Sequence, residues 1–442
     1  MNILSNVLKE VGQQSEQDRL EKFRTNWEIY YGQGDKPLKL VPGSTFDDNI
    51  RMNYARLFVD KGVAFLFGKD VGFELEEGKV TPAEAYLERI WQSNSKMSKL
   101  QRLATNGGVC GTAFLRILIV PGQDPRLIVL DPETVTVTLA EDDFEDVTEY
   151  KIQYTSKDEK GDPVGVRHVI SRNGNQWIIN DERGAHAGSH WETIKTTAWA
   201  YPFSPIIHCQ NMIAPNEFWG MSDLENDLIE VINKKNFVMA NTLKIIRHHA
   251  HPKTIAEGLP ATEIAIKAGV DDLIVLEKEG ATMHNLEMQS DLSSSLAVGQ
   301  ELTEFIHELA RVPQVSTGKV ESIGQLSGVA LEILYQPLLE KTEAKRVTYG
   351  ELMIETNRRL LAIGGFGDNN YTTLRWQGLL PKDNQVMANA ALIKNRIGVS
   401  KDTLVQELGY DADQERKKRS QETTLASELI AAFDRDGADL EE

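Results

Sequence analysis

The chain has 442 residues, of which 41% are apolar and 26% are charged, so its composition is that of an ordinary soluble protein. Its length suggests about two or three domains. Its formal net charge of −18 argues against a protein that coats DNA through a basic surface, but it does not exclude one that lets DNA pass without gripping it.

The two cysteines, Cys110 and Cys209, are too few for a disulfide framework, and they predict buried thiols in a reducing compartment. No apolar run reaches the roughly 18–20 residues that span a bilayer. Residues 1–10 do not resemble a secretion signal. The sequence therefore predicts a protein that is made in the cytosol and does not enter a membrane.

The N-terminal part of the sequence is predicted to be helical. Gly32 ends the first helix, and Thr81 is the expected N-cap of the third, with Pro82 at its first position. The predicted elements are a helix up to residue 31, a helix over 49–67, a strand over 71–75 and helices over 82–92 and 96–109.

A largely β block follows over about 110–210. Its apolar runs and alternating patterns predict strands over 112–120, 127–130, 135–139, 147–154 and 166–179. The Asn173-Gly174 pair inside the last run predicts a hairpin turn.

Long helices dominate the second half of the sequence. Ser222 and Glu225 form a capping-box pattern, which predicts a helix that runs to His251. A small module separates it from a second rod that stops at Pro313, and strands are predicted in that module over 272–276 and 283–288. A third rod runs to Ile363, and Pro337 inside it predicts a kink. A strand over 371–376 and shorter helices over 383–396, 403–409 and 416–433 complete the chain.

The sequence offers little that resembles a catalytic or cofactor site. Thr317-Gly318-Lys319 lacks the other residues of a phosphate-binding loop, and Gly364–Gly367 is better explained as a helix terminator than as a dinucleotide site. The histidines at 248, 249 and 251 have no carboxylate or cysteine at metal-ligand spacing, so a polar helix end is favoured. Asp47-Asp48 is typical of a turn or cap, and the acidic cluster at 141–146 is typical of a solvated loop. The expectation is no enzymatic activity, no cofactor and no metal.

Several stretches together resemble the portal proteins of tailed bacteriophages, specifically the siphophage connector type. They cover most of the chain in the order found in that family. The stretches are residues 32–37, 49–70, 216–225, 326–331, 380–383 and 398–403.

The resemblance implies an α+β, mainly helical portal fold assembled as a ring. The implied domains are a wing (1–221), a stem helix (222–250), a clip (251–290), a second stem helix (291–312), a tunnel loop (313–325), a kinked helix that returns to the wing (326–380) and a short crown (381–442).

The resemblance also implies a function and a set of partners. The protein is expected to form a ring, usually of twelve copies, at one capsid vertex, through which double-stranded DNA enters and leaves the phage particle. The implied partners are further copies of itself, the large terminase, a head–tail adaptor, and the major capsid and scaffolding proteins. Assembly is expected in the host cytoplasm.

The tunnel loop contains the candidate DNA-contacting residues. They are Val315, Ser316, Thr317, Gly318, Lys319, Val320 and Glu321. Lys319 is the cation of this loop and the best candidate for a phosphate contact, with weaker contacts from Ser316 and Thr317. The alternative is that Lys319 pairs with Glu321 or with a neighbouring subunit.

Two other classes of protein fit the sequence less well. One is a ring-forming head-morphogenesis protein without a DNA channel, and the other is a cytosolic enzyme whose site is assembled from distant residues. An enzyme predicts a monomer or small oligomer with a ligand pocket, whereas a portal predicts a large ring with an axial hole.

Overall fold

The structure is a computed structural model, with 50% of the residues that it describes in helices and 23% in strands. It describes residues 2–33, 49–75, 81–185, 190–250, 254–257, 280, 282–285, 292–314, 328–367, 370–380, 384–408, 415–416 and 418. The chain divides into two compact units, the first formed by Met1–Glu321 and Tyr335–Gln377, the second by Ser322–Leu334 and Gly378–Glu442.

The described helices agree closely with the sequence pattern. They are α1 (Asn2–Tyr30), α2 (Tyr54–Phe67), α3 (Pro82–Ser93), α4 (Lys96–Cys110), α5 (Asn226–Ala250), α6 (Ser293–Ala310), α7 (Gly328–Ile363), α8 (Asn384–Arg396) and α9 (Lys401–Glu407). Of the helices that the structure describes, none is both long and apolar enough to cross a bilayer.

The described strands are short except in the block after α4. They are β1 (Gly72–Glu74), β2 (Thr112–Leu118), β3 (Arg126–Leu130), β4 (Val135–Leu139), β5 (Val147–Lys157), β6 (Pro163–Asn173), β7 (Gln176–Ala185), β8 (Trp191–Ala198), β9 (Ile206–Gln210), β10 (Thr254–Glu257), β11 (Thr282–Asn285) and β12 (Thr373–Arg375).

Helix boundaries follow from local capping. The Thr81 hydroxyl accepts from the Glu84 N–H at 3.2 Å, and the Glu84 carboxylate accepts from the Thr81 N–H at 3.0 Å, so the predicted start of α3 is confirmed. α2 begins later than predicted, because Asn53 caps it by accepting from the N–H of Arg56. α4 ends at Gly111, whose φ of 82° favours glycine and where a Cβ would lie 2.3 Å from the Gly220 carbonyl oxygen.

The capping box at Ser222 does not open a helix, contrary to prediction. The Glu225 carboxylate does accept from the Ser222 N–H, but the Ser222 hydroxyl lies 2.9 and 2.8 Å from the carbonyl oxygens of Gly108 and Val109. This hydroxyl is therefore used to join the chain to the end of α4, and α5 starts at Asn226.

The predicted β block forms two antiparallel sheets. One has the order β3-β2-β9, and the other is a five-stranded meander with the order β4-β5-β6-β7-β8. β3 and β4 follow each other in sequence but lie in different sheets, separated by a 3₁₀ turn at Pro132–Thr134. The predicted Asn173-Gly174 turn joins β6 to β7, with Gly174 at a φ of 61°. The outer strand β8 was not predicted, because it carries mostly threonines and charged residues.

The described part of the inserted module is a pair of antiparallel strands, β10 and β11. β11 begins one residue before the strand predicted over 283–288 and ends inside it. β10 was not predicted. The strand predicted over 272–276 lies outside the described residues.

The largest core of the first unit joins α7 to α3, α4 and the three-stranded sheet. Trp91 on α3 and Tyr349, Leu352 and Leu360 on α7 are fully or almost fully buried in it. The Trp91 indole N–H donates to the Asn357 side-chain oxygen at 2.7 Å, and the Asn357 amide donates to the Thr372 hydroxyl at 3.0 Å. One asparagine thus satisfies two buried polar groups and holds the segment before β12 against α7.

The described part of the second unit consists of the first residues of α7 up to Leu334, residues 378–380, α8, α9 and a few later residues. The N–H of Thr403 donates to the Ser400 hydroxyl at 3.2 Å, which caps the short helix α9. Leu404 is buried, and the Arg416 guanidinium pairs with the carboxylate of Asp402. The helix predicted over 416–433 lies mostly outside the described residues.

Replacing Asn357 by alanine tests this buried polar bridge. We expect Asn357→Ala to lower the free energy of unfolding by about 1–3 kcal/mol, because the Trp91 indole N–H and the Thr372 hydroxyl lose their partner in a dry site. Urea unfolding followed by tryptophan fluorescence and far-UV circular dichroism measures the change. The matched control is Gln153→Ala on an exposed strand position, which should stay within about 0.5 kcal/mol of the parent. Equal stabilities of the two variants would contradict the bridge.

Candidate functional site

The tunnel-loop residues proposed from the sequence, 315–321, lie outside the described residues. The structure does describe the chain that enters this loop, through Gln314, and the helix α7 that follows it. Pro337 lies inside α7, which is a single helix from Gly328 to Ile363. The kink at Pro337 stays a prediction.

The end of α6, just before the loop, is fixed by a left-handed residue and a buried histidine. Arg311 has a φ of 57°, and its N–H donates to the carbonyl of Glu308 at 3.0 Å. The His307 ring lies edge-on to Tyr54 and Phe58, at centroid distances of 5.9 and 5.4 Å. Its Nδ1 lies 2.7 Å from the Val312 carbonyl oxygen, and because a carbonyl only accepts, Nδ1 carries the proton. These contacts fix the direction in which the chain leaves α6.

A buried carboxylate and two lysines lie next to this helix end. The Asp223 Oδ2 accepts from the Lys345 ammonium at 2.6 Å, and its Oδ1 lies 3.1 Å from the Lys341 ammonium. The exposed side-chain fractions are 1% for Asp223, 8% for Lys341 and 4% for Lys345. Asn211 adds a further bond, donating from Nδ2 to the same Asp223 Oδ1 at 3.3 Å. These groups form the Asp223 cluster.

Electrostatics keeps Asp223 ionised in this dry site. Burial raises the pKa of Asp223, but the two ammonium groups outweigh burial and hold its pKa at about 2. Burial lowers the pKa of Lys345, which the charge of Asp223 partly offsets. Two lysines share one carboxylate, so the cluster depends on Asp223 far more than on either lysine.

The Asp223 cluster connects four helices. The Lys341 ammonium also donates to the carbonyl of Ala310, the last residue of α6, at 3.3 Å. Asp223 lies three residues before the start of α5, and its N–H donates to the carbonyl of Gly108 in α4 at 2.8 Å. One charged group therefore fixes α7, the end of α4, the approach to α5 and the last carbonyl of α6 in relation to one another.

α5 and α6 are further joined by a buried lysine. The Lys235 ammonium donates to the Gly299 carbonyl and to the Thr303 hydroxyl, both at 2.5 Å. Near the next turn of α5, Met239 lies beside Gly299. Lys235 reaches Thr303, whereas Met239, four positions later on α5, lies beside Gly299, four positions earlier on α6, so the two helices run in opposite directions.

The cluster has the properties of a structural clamp rather than a catalytic centre. It is dry, its carboxylate is fully engaged, and it holds the base of the predicted tunnel loop. Among the residues that the structure describes, no group of three His, Cys, Asp or Glu side chains is placed to hold a metal ion. Cys110 and Cys209 are buried as predicted, and burial raises the pKa of both thiols, which makes them poor nucleophiles.

Sequence reasoning missed this cluster. Asp223 was assigned only to the acidic start of a helix, and Lys341 and Lys345 were not singled out. The available signal was their spacing of four, which places both lysines on the face of α7 that also carries the buried Leu338 and Tyr349. Two lysines on an apolar face indicate a buried anionic partner, although not which one.

Asp223→Asn tests the clamp. We expect it to lower the free energy of unfolding by about 3–5 kcal/mol at pH 7, because two buried ammonium groups lose the carboxylate that both of them contact. The matched control is Glu230→Gln on α5, whose carboxylate is 71% exposed and 3.9 Å from Lys234; it should cost less than about 1 kcal/mol. Urea unfolding of both variants makes the comparison.

The pH dependence gives a second readout. Because the pKa of Asp223 is depressed to about 2 in the folded state, its stabilisation is complete above the unfolded value of about 4 and is lost as the pH falls towards 2. The stability gap between the parent and Asp223→Asn should therefore be constant from pH 7 to 5 and shrink between pH 4 and 2. A gap that is unchanged at pH 3 would contradict the assignment.

Comparison with known proteins identifies the family. The model of the family described as "Phage portal protein, SPP1 Gp6-like" matches residues 13–426. Among solved structures, one described as the neck of an empty GTA particle, computed with C6 symmetry, has 14% sequence identity, covers 80% of this chain and 88% of its own, and has a TM-score of 0.47. No curated protein matches.

The family match spans nearly the whole chain, from within α1 to beyond α9. It confirms the resemblance seen in the sequence, and the family is one of structural proteins of the phage particle, not of enzymes. The chain belongs to the SPP1 Gp6-like family of phage portal proteins, the connectors between phage head and tail.

Proposed function

We propose that this portal protein assembles into a closed ring, usually of twelve copies, around an axial channel for double-stranded DNA. The observation that carries the proposal is the family match over residues 13–426. The ring occupies one capsid vertex of the phage particle, and the channel serves genome packaging, retention and ejection.

The apolar surface of the two stem helices supports self-association. Seven large apolar side chains on α5 and α6 are between 42% and 50% exposed in the single chain: Phe237, Leu243, Ile246, Leu296, Val298, Phe305 and Leu309. Exposed apolar side chains along two helices that pack together are typical of a surface that another chain covers. The packing of stem helices from neighbouring copies would remove these side chains from water.

The acidic composition supports a channel that does not grip DNA. The chain carries a formal net charge of −18, and a ring multiplies that charge by its number of copies. Each phosphate that a protein neutralises adds salt-dependent affinity, so a basic channel would hold a moving duplex. Contacts with DNA are confined to a few cations, of which Lys319 in the tunnel loop is the first candidate.

The portal domains are proposed to have the bounds inferred from the sequence. They are the wing (1–221), stem helices (222–250 and 291–312), clip (251–290), tunnel loop (313–325), kinked helix with its return to the wing (326–380) and crown (381–442). The Asp223 cluster joins the end of α6, the end of α4 and the approach to α5 to α7, which supports a fixed point of departure for the proposed tunnel loop.

The proposed partners follow from the channel. The large terminase docks on the ring during packaging and supplies the ATP hydrolysis, because the portal itself is not an enzyme. A head–tail adaptor binds after packaging, and the major capsid and scaffolding proteins contact the ring during assembly in the host cytoplasm.

Imaging of the purified full-length chain tests the ring. Negative-stain electron microscopy should show closed rings with a central hole wide enough for duplex DNA. A stable monomer would contradict the proposal and would favour an enzyme, and a ring without an axial hole would favour another head-morphogenesis protein.

Lys319→Ala tests the tunnel loop. We expect rings to form as in the parent, while packaging or retention of DNA changes, because a phosphate contact is lost at the loop. The matched control is Lys157→Ala, an exposed lysine at the end of β5. Packaging and retention of phage DNA are measured by nuclease protection in particles assembled with each variant. Normal packaging and retention with Lys319→Ala would contradict the assignment.

A further inference from the structure

An open cavity of about 740 Å³ lies between α1, α2, α4 and β3 in the first unit. One wall is aromatic: the rings of Trp27 and Tyr31 stack at a centroid distance of 5.5 Å, and Tyr30 packs edge-on against both. Tyr31 is 60% exposed. Tyr31 therefore presents an aromatic surface to solvent at this cavity.

Three cations are grouped at this cavity, and two of them line it. Lys99 and Arg102 line it, and Arg126 is close enough for its charge to act on Lys99. Among the described residues, none of the three forms an ion pair with a carboxylate. Partial burial, followed by the charges of Arg102 and Arg126, lowers the pKa of Lys99, which is the result expected of like charges held together.

The cavity lining is not uniformly basic. Asp131 and Glu133 line it, and Arg56 near the aromatic wall pairs with Asp60 at 3.4 Å. A complementary occupant must place an apolar group on the aromatic wall and direct its carboxylates towards Lys99 and Arg102. The aromatic wall, together with Lys99, Arg102 and the neighbouring Arg126, is called the basic pocket below.

An acidic loop elsewhere on the same unit has this pattern. It joins β4 to β5 and consists of Glu141, Asp142, Asp143, Phe144, Glu145 and Asp146. Phe144 is 45% exposed between these acidic residues. Among the described residues, Asp146 pairs with Arg172, whereas Glu141, Asp142 and Glu145 form no ion pair. The segment is called the acidic loop below.

The acidic loop is held in a defined shape. The Asp143 carboxylate accepts from the N–H of Glu145 at 2.8 Å, and the N–H of Ala140 donates to the Asp146 carbonyl at 2.8 Å. Arg172 binds both oxygens of Asp146, at 2.9 and 2.5 Å. A shaped loop loses little conformational entropy on binding, so Phe144 and its carboxylates are prepared for a partner.

The acidic loop does not fill the basic pocket of its own copy. Asp131 and Glu133 lie at the edge of that pocket, and β4 then leads the chain away for five residues, a length of about 16 Å. Phe144 and Glu145 line a separate cavity with residues of β9 and α7. The loop and the pocket are therefore two different surfaces of one copy.

We propose that the acidic loop of one copy docks in the basic pocket of the next, with Phe144 against Trp27 and Tyr31 and its carboxylates facing Lys99 and Arg102. Contact between two different surfaces of identical chains is heterologous, and such contacts close into rings when the rotation allows it. The inference rests on the ring of the proposed function and names one interface within it.

The two parts of the contact have different roles. An aromatic side chain that enters a pocket is the usual anchor of an interface, whereas charges at the rim mainly steer and orient the partner. Reversal of the rim charges places like charges against each other, which opposes association strongly. Charge reversal is therefore the sharper test.

The test uses two double variants of the full-length chain. Variant A carries Asp142→Lys and Glu145→Lys, and variant B carries Lys99→Glu and Arg102→Glu. Mass photometry and sedimentation velocity measure the fraction of chains in rings at a concentration at which the parent is mostly assembled. We expect at least a tenfold loss of rings for A alone and for B alone, since every contact then opposes like charges.

Mixing the two variants makes the test specific. In an equimolar mixture, the unchanged acidic loop of B meets the unchanged pocket of A, and the lysine-bearing loop of A meets the glutamate-bearing pocket of B. Every contact of an alternating ring is then complementary, so rings should return. A single chain that carries all four substitutions should also assemble alone.

Matched controls separate this pairing from general effects of charge. Lys157→Glu with Lys160→Glu changes the net charge as B does, and Glu159→Lys with Glu192→Lys changes it as A does, all at exposed positions. Both controls should assemble like the parent. Circular dichroism and thermal unfolding should show that A and B are folded as monomers.

The outcomes distinguish this inference from the proposed function. If the parent forms no rings, the proposed function fails. If the parent assembles and the folded variants A and B assemble equally well, only the docking proposal fails. Loss of rings in A and B with no recovery in the mixture also overturns the pairing of these two surfaces.

Discussion

The fold of the first unit depends on one carboxylate. α7 carries Lys341 and Lys345 into a dry interior, and Asp223 is the group that neutralises them there. An isolated charge in such a site is very unfavourable, so the lysines can be buried only if the chain around Asp223 is in place. The backbone of Asp223 is in turn bonded to α4, and Lys341 is bonded to the end of α6. The packing of these helices and the burial of this charge therefore depend on each other.

Much of the fold can be predicted from the sequence, because many boundaries are set by neighbouring residues. Thr81 caps α3 as expected, and Asn173-Gly174 forms the expected turn. Ser222 shows where such reasoning fails, since its hydroxyl bonds to carbonyls more than 100 positions away and no local pattern encodes that choice. The strand β8 was missed for a related reason, because pairing with β7 rather than its own apolar content makes it a strand.

The function could be predicted from the sequence, whereas the Asp223 cluster could not. The function followed from a resemblance spread over the chain, which the family match over residues 13–426 confirms. The Asp223 cluster could not be predicted, because Asp223 and Lys345 are 122 positions apart and each has an ordinary role in its local sequence. The tunnel loop itself was inferred from the family alone. Lys319 therefore stays a prediction, whereas the base of the loop can be argued from contacts.

The outer strand β8 has a consequence for the way in which copies can meet. The free edge of a sheet offers backbone N–H and C=O groups to which another chain can add a strand. Glu192 and Lys195 lie along β8, and most of its side chains are exposed. Charges on an edge oppose strand addition, so neighbouring copies are expected to meet through side chains and not through a continuous sheet. Copies joined in that way can shift against one another without breaking shared backbone hydrogen bonds.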